Sequence, residues 1–235
     1  MRSGKSYERY PNGNIYKGEF KNGKADGSGV YTWANGEIYE GEWKFGLKHG
    51  KGMWKGTHGD SYIGEWVESM AEGYGVHTWS NGDLYEGEWK GCLKHGYGTD
   101  KFCNGDSYVG NYVNGKPNGE GRYNWSNGSY YVGQFLKGLK HGWGKWRRSK
   151  ENPTNEYDGE YLNDKKHGQG TFSWASGNVY TGEYVNDERH GKGEMKWTDG
   201  SAYQGDWVRG IQHGKGKMIF PDGSEKEGFF ENNIY

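Results

Sequence analysis

The chain carries one pattern of alternating apolar and polar residues, and a tyrosine marks the start of each copy. These tyrosines are 23 residues apart except for one step of 26: Tyr16, Tyr39, Tyr62, Tyr85, Tyr108, Tyr131, Tyr157, Tyr180 and Tyr203. When each tyrosine is counted as position one, position three is glycine and position five is aromatic in all nine units. Positions one, three and five therefore lie on one side of an extended chain, and positions two and four on the other. This alternation predicts a short strand.

The second half of each unit predicts a second strand. Positions six to twelve are rich in turn formers, as in Lys44 to Gly50. Positions thirteen to eighteen alternate again, with glycine at fourteen and an aromatic residue at sixteen or eighteen. Most units close with Asn-Gly, Asp-Gly or Ser-Gly, which is the strongest short-range signal for a hairpin. Each unit is therefore predicted to form two antiparallel strands with a turn on either side.

Stacked in chain order, the units predict an all-β fold: an elongated, single-layer antiparallel β-meander solenoid about 90 Å long, at about 4.8 Å per strand. The glycines at positions three and fourteen should let rings from neighbouring strands lie on bare backbone, so that rows of rings replace an aliphatic core. Residues 1–15 and 226–235 are interpreted as partial repeats that cap nine full repeats at 16–225. A longer loop is predicted at 147–156.

The amino-acid composition indicates that the chain folds, and it excludes several classes of protein. Leu, Ile, Val and Phe make up about 12% of the residues, which by itself is typical of disorder. However, the net charge is −1 and aromatic residues reach 17%, which argues against disorder and against a basic nucleic-acid binder. The chain has no apolar run of about 18 residues and no apolar signal segment after Met1, so a cytoplasmic protein is expected. Cys92 and Cys103 are predicted to lie too far apart for a disulfide.

The repeat unit resembles a known family. The pattern Tyr-x-Gly-Glu-Trp-x-x-Gly-x-x-His-Gly-x-Gly, read from Tyr39 to Gly52, is similar to the MORN repeat (membrane occupation and recognition nexus). The resemblance extends from about Tyr10 to Phe230. Members include junctophilins, radial spoke head components, cytoskeletal scaffolds, plant phosphatidylinositol phosphate kinases and a SET-domain methyltransferase. In those enzymes the chemistry lies in a separate domain, for which this sequence leaves no residues, so the resemblance implies a non-enzymatic scaffold.

Two columns of side chains suggest chemistry, but their spacing argues against it. Six histidines occupy position eleven, yet equivalent residues of adjacent units lie about 9.5 Å apart, too far to share a zinc ion. Acids recur at position four, but an active site needs two acids in different environments, and this column repeats one environment. We therefore expect no catalytic residue, no metal and no cofactor, and interpret the acids as a solvated row that pairs with lysines at positions ten or thirteen.

The aromatic rows carry the main functional hypothesis. A single-layer sheet cannot hide both of its faces, so one face should present a groove of rings and glycine backbone. Tyrosine and tryptophan dominate binding hot spots. We predict that a helical or extended segment of a partner protein, or another copy of the chain, lies along this groove. The residues predicted to bind it are Tyr39, Trp43, Tyr62, Trp66, Tyr85, Trp89, Tyr108 and Tyr112.

The C-terminus suggests a second contact. An open strand edge invites pairing, and the last residues of the chain are partly apolar. They predict an end-to-end homodimer through Phe229, Phe230, Ile234 and Tyr235.

The sequence is also compatible with other functions. Lysines recur near the first turn of the units, as at Lys44, Lys48 and Lys51, and could contact anionic lipid headgroups. A membrane-associated tether is therefore one alternative, and a regulatory subunit of a separate enzyme is another. The resemblance to axonemal members favours a cytoskeletal or ciliary assembly and a place in the cytoplasm, cytoskeleton, cilium or flagellum. The 147–156 loop suits a docking point, a modification site or a tolerated insertion.

Overall fold

The computed structural model describes residues 2–235, and in these residues every regular element is a β-strand. The chain divides into two compact units of several repeats each, one ending at Lys116 and the other running from Pro117 to Tyr235. Below, 'unit' means one of these two parts, and a single 23-residue copy is called a repeat. In each unit, consecutive strands pair antiparallel, which makes an open meander. The prediction of an all-β antiparallel meander of hairpins is confirmed.

The first unit is built from ten strands, each paired with the next. They are β1 (Gly4–Arg9), β2 (Ile15–Lys21), β3 (Lys24–Thr32), β4 (Ile38–Lys44), β5 (Leu47–Lys55), β6 (Ser61–Val67), β7 (Met70–Thr78), β8 (Leu84–Lys90), β9 (Leu93–Lys101) and β10 (Ser107–Val113).

The second unit repeats this arrangement. Its strands are β11 (Lys116–Asn124), β12 (Tyr130–Leu136), β13 (Leu139–Arg147), β14 (Glu156–Leu162), β15 (Lys165–Ser173), β16 (Val179–Val185), β17 (Glu188–Lys196), β18 (Ala202–Val208), β19 (Ile211–Ile219) and β20 (Glu225–Phe230).

A β-bulge interrupts the hairpin inside the repeat. In β4 and β5, Gly41 lies opposite Gly52, but the next residue, Glu42, lies opposite His49. Gly50 and Lys51 are therefore extra residues on β5. Gly50, at position twelve, has φ of 57°, a left-handed conformation that glycine adopts at little cost. The bulge explains why position twelve is glycine in every repeat.

The tyrosine at position one lies flat on the glycine at position fourteen. A Cβ atom added to Gly52 would clash with the ring and hydroxyl of Tyr39. The Tyr39 hydroxyl donates a hydrogen bond to the Glu42 carbonyl oxygen at 3.0 Å, which fixes the ring along the strand. The equivalent contacts occur at Tyr16, Tyr62 and Tyr85. The expectation that rings lie on bare backbone is therefore met in detail.

The last residue of the chain completes the partial repeat that ends the second unit. Lys226 stands where other repeats have tyrosine, and the Tyr235 ring covers Gly228 instead, 2.7 Å from where a Cβ would lie. The Tyr235 hydroxyl donates to the Glu227 carbonyl oxygen at 2.9 Å, and its ring centroid lies 5.3 Å from that of Phe230. Tyr235 therefore places a ring over the position-three glycine of this partial repeat.

The longest connection of the second unit lies between β13 and β14. Arg147 ends β13 and Glu156 begins β14; the two residues lie opposite each other, with Arg147 Nε 3.1 Å from Glu156 Oε2. Both residues that bound the predicted loop are thus strand residues.

We expect Gly52→Ala to lower the free energy of unfolding by about 1–3 kcal/mol, because a methyl group has no room beneath the Tyr39 ring. Urea unfolding followed by tryptophan fluorescence measures the change. Lys51→Ala is the matched control: the side chain is exposed and its backbone N–H remains, so a change within about 0.5 kcal/mol is expected. Equal stability of the two variants would contradict the packing described above.

Candidate interaction surface

The side of each unit that carries positions one, five, ten and sixteen of the repeats is called the aromatic face. An inner layer of rings covers it. Rings at positions one and five alternate edge to face. The Tyr39 centroid lies 5.1 Å from that of Trp43 at 90° and 5.3 Å from that of Trp66 at 87°. Such geometry is favourable for aromatic quadrupoles. The Trp66 indole N–H also donates to the Gly52 carbonyl oxygen at 3.1 Å, so this ring is held by the preceding repeat.

The residues predicted to bind a partner belong to this inner layer and are buried. Trp43 is the most exposed of them, at 8%. The others are Tyr39, Tyr62, Trp66, Tyr85, Trp89, Tyr108 and Tyr112. Their first role is to pack the sheet face, and direct contact with a partner remains a prediction for them.

An outer layer of half-buried rings forms the accessible surface of the aromatic face. In the first unit, Trp33 lies 4.7 Å from Tyr31 and Trp79 lies 4.2 Å from His77, centroid to centroid. The half-buried members at positions sixteen and eighteen are Tyr31, Trp33, Trp54, His77, Trp79 and Phe102 in the first unit, and Tyr123, Trp125, Trp146, Phe172, Trp174 and Trp197 in the second.

The residue pattern places rings at these positions but does not show that they are the accessible ones. The signal was their place in the repeat: position eighteen follows the last strand residue and precedes the Asn-Gly turn. Trp33, for example, lies just beyond β3, and its carbonyl oxygen accepts the N–H of Gly36 in that turn at 2.9 Å. Its ring packs against Tyr31, whose ring in turn lies 5.8 Å from that of Trp43 in the inner layer.

Cationic side chains at position ten lie among the rings. Lys48 Nζ is 4.0 Å from the Trp66 centroid and 5.6 Å from that of Tyr39. Lys94, Lys140, Lys166 and Arg189 lie over rings in the same manner. Burial lowers the pKa of Lys48, Lys140 and Lys166. Cation–π contact, worth about 0.5–2 kcal/mol, offsets part of this loss of hydration.

One acid lies in the row of rings, and both of its carboxylate oxygens have a polar partner. Asp100 occupies position sixteen, where other repeats have a ring, and is buried. Lys94 Nζ lies 2.5 Å from Asp100 Oδ1, and the Tyr112 hydroxyl donates to Asp100 Oδ2 at 2.5 Å. Burial and the Asp100 carboxylate raise the pKa of Tyr112 far above its ordinary value. The triad shows that the aromatic face accepts a carboxylate when a position-ten lysine lies beside it.

The column of acids at position four supports the bulge. Glu88 Oε1 accepts the backbone N–H of Tyr97 at 3.0 Å, and the Gln134 side chain accepts that of Trp143 in the same way. The interpretation as a row that pairs with lysines was therefore wrong for most of the column. In residues 2–235, one of these acids, Asp206, has such a lysine: Lys192 Nζ lies 2.5 Å from its Oδ1. That hydrogen bond lowers the pKa of Asp206, with help from the Lys215 backbone N–H.

The histidine column runs beside the acids, with His49 opposite Glu42 and His190 opposite Glu183. Within the described part of the chain, no three His, Cys, Asp or Glu side chains converge closely enough to hold a metal ion. The same residues, 2–235, contain no helix able to cross a bilayer.

The C-terminal residues predicted to form a dimer contact are not equivalent. Phe230 is buried and packs against Tyr203, with centroids 4.9 Å apart. Phe229 and Ile234 are 69% and 71% exposed, and Tyr235 is half exposed. Phe229 and Ile234 are thus the apolar side chains most available at this end of the second unit.

The repeats also match a family model over most of the chain. The description of that model is MORN repeat, and it matches residues 16–38, 39–61, 62–84, 85–107, 108–130, 131–150, 157–179, 180–202 and 203–225. The chain belongs to the MORN-repeat family. This MORN-repeat protein therefore contains nine tandem copies of a non-catalytic module, and the family assignment made from the residues is confirmed. No curated protein matches its sequence significantly.

Two solved structures are similar to this MORN-repeat protein at low identity. One is the wild-type TCP10 domain of Danio rerio CPAP in complex with a peptide of Danio rerio STIL: 10% identity, TM-score 0.50, with 95% of this chain and 93% of that chain covered. The other is the SAS-4 (dCPAP) TCP domain of Drosophila melanogaster with a proline-rich motif of Ana2: 13% identity, TM-score 0.41, with 68% and 86% covered. The first similarity supports the fold.

We expect the MORN-repeat protein to lose stability as the pH rises above 10. Burial raises the pKa of Tyr16 to about 12 and that of Tyr39 and Tyr85 further still, so these hydroxyls stay protonated in the folded state but ionise near pH 10 when unfolded. Their stabilising contribution is therefore complete below pH 10 and is lost as the pH rises through the folded pKa values. The lysines with lowered pKa act in the opposite direction but are fewer.

Urea unfolding at a series of pH values between about 9 and about 11.5 checks this expectation, with phenolate absorbance recorded in parallel. A free energy of unfolding that stays constant or increases over this range would contradict it.

Proposed function

We propose that this MORN-repeat protein is a non-enzymatic scaffold that binds segments of partner proteins along its aromatic face. The observation that carries the proposal is the outer layer of half-buried rings, since Trp33, Trp54 and Trp79 present indole surface that no other part of the first unit covers fully. Aromatic side chains supported from beneath by a rigid layer are favourable binding anchors, because little conformational entropy is lost when they are covered.

Two further points support this proposal. The MORN family is a repeat module without catalytic residues of its own. The CPAP domain of similar fold was solved with a peptide of STIL bound, so an open β-meander of this kind is able to hold a peptide in that protein. The cytoskeletal or ciliary setting, and a place in the cytoplasm, cytoskeleton, cilium or flagellum, belong to the same proposal and rest on the resemblance to axonemal MORN proteins.

Recovery of partners from cells that produce this protein tests the scaffold, with full-length chains carrying Trp33→Ser and Trp79→Ser together. We expect partner recovery to fall at least tenfold, because the loss of two anchors commonly costs several kcal/mol of binding. Near-ultraviolet circular dichroism confirms that the variant is folded.

Tyr74→Ser with Tyr97→Ser is the matched control. Tyr74 lies opposite Glu88 at position four, on the other side of the sheet, and both tyrosines are about half exposed. These changes also remove two accessible rings but should leave partner recovery intact. Recovery that is unaffected by the tryptophan changes, or reduced equally by both pairs, would contradict the assignment of the aromatic face. Vesicle sedimentation with the same proteins tests the alternative of a membrane tether.

A homodimer through the C-terminal residues is a separate proposal, and it rests on the exposure of Phe229 and Ile234. We expect Phe229→Ser with Ile234→Ser to convert a dimer to a monomer in light scattering, while Phe230 keeps its packing against Tyr203. A wild-type chain that is monomeric at high concentration would refute the homodimer without affecting the scaffold.

A further inference from the structure

Three consecutive repeats of the second unit set a row of cations among rings, which we call the cation track: Lys140, Lys166 and Arg189, on β13, β15 and β17. Lys140 Nζ lies 5.0 Å from the Tyr161 centroid, and Lys166 Nζ lies 5.0 Å from that of Phe172. Neighbouring members are two strands apart, about 9.5 Å.

The charges of the track have no carboxylate partner. In residues 2–235, no Asp or Glu oxygen lies within 4.0 Å of the charged groups of Lys140, Lys166 or Arg189. Two acids lie near the track without an ion pair to it: Asp164 Oδ1 accepts the backbone N–H of Lys140 at 2.8 Å, and Asp187 Oδ1 that of Lys166 at 2.9 Å. Their charges offset part of the effect of burial on the pKa of the two lysines. Half-buried cations without an ion pair are costly unless something completes their coordination.

One repeat of the first unit shows what completes such a site. Lys94 occupies the same position in its repeat, also over rings, and there the Asp100 carboxylate lies 2.5 Å from its Nζ. In the three repeats of the cation track, position sixteen is Trp146, Phe172 or Met195, so these repeats supply no equivalent acid. A carboxylate from outside would fit the same chemistry.

We propose that the cation track binds an acidic segment of a partner protein, whose Asp or Glu side chains pair with Lys140, Lys166 and Arg189 while its apolar side chains cover Trp125, Trp146 and Trp174. This inference rests on the proposed scaffold function and specifies the partner that the second unit selects. The spacing of about 9.5 Å corresponds to an acid at about every sixth or seventh residue of a helix, or at about every third residue of an extended chain of the polyproline II type, which has three residues per turn.

Synthetic peptides test the inference directly on the full chain. One labelled peptide is an amphipathic helix with glutamate at every seventh residue, a second is extended with glutamate at every third residue, and each has a twin in which glutamine replaces glutamate. We expect at least one acidic peptide to bind at least tenfold more tightly than its twin by fluorescence anisotropy. This preference should weaken as salt rises, because the contact is ionic.

Lys140→Met with Lys166→Met identifies the site. Methionine keeps an unbranched apolar side chain against the rings and removes the charge, so the fold should persist while the preference for glutamate disappears. Lys137→Met with Lys165→Met is the matched control, since both of these lysines are exposed and the change in net charge is the same. The control should keep the full preference.

Three results would overturn the inference. The acidic and amide peptides could bind equally well or not at all, or both pairs of substitutions could reduce binding alike. In the third result, the protein binds vesicles of phosphatidylcholine with one-fifth phosphatidylserine but binds no peptide, and Lys140→Met with Lys166→Met abolishes the vesicle binding. The cation track would then bind lipid headgroups instead of a protein segment. The scaffold proposal stands or falls separately, on the Trp33 and Trp79 experiment in the first unit.

Discussion

The contact on which the rest of the structure depends is the tyrosine ring that lies on a glycine of the neighbouring strand. Because Gly52 has no side chain, the Tyr39 ring comes into contact with the backbone and its hydroxyl reaches the Glu42 carbonyl oxygen. The ring at position five then packs edge-on against this tyrosine and the next. Repetition of one contact thus gives a sheet with a packed face but without a second layer, and it explains a composition rich in glycine and rings and poor in aliphatic residues.

The same contact accounts for the layered character of the aromatic face. The inner rings are buried by packing, so the solvent-accessible surface of this face is formed by side chains that lie over them. Rings at positions sixteen and eighteen and cations at position ten take that place. The rigid inner layer fixes their positions, which favours a surface that binds by shape and charge with little rearrangement.

The side chains at positions ten and sixteen differ between repeats, so different parts of this regular surface differ in charge. Asp100 replaces a ring and pairs with Lys94, whereas Lys140, Lys166 and Arg189 have no carboxylate beside them within the described residues. Position ten is Ala71 in one repeat and Pro117 in another. The backbone is the same at each of these places, so the choice of partner depends on side chains that vary on a constant frame.

The sequence by itself determined the strands, the hairpins, the antiparallel order and the family, because each of these depends on spacing along the chain and on glycine. It also indicated that Cys92 and Cys103 form no disulfide, and both are free thiols. Only the tertiary structure decided which rings are buried. Positions one, five and sixteen share a face by alternation, and alternation cannot rank depth on one face. The Tyr39 ring is fully buried because it lies directly on Gly52, whereas the Tyr31 ring at position sixteen packs against Trp33 and is half-buried. The structure likewise decided what the Glu88 column does: these acids are solvated in part, as expected, but they support the bulge instead of pairing with lysines, because the register shift leaves a backbone N–H within reach of the carboxylate.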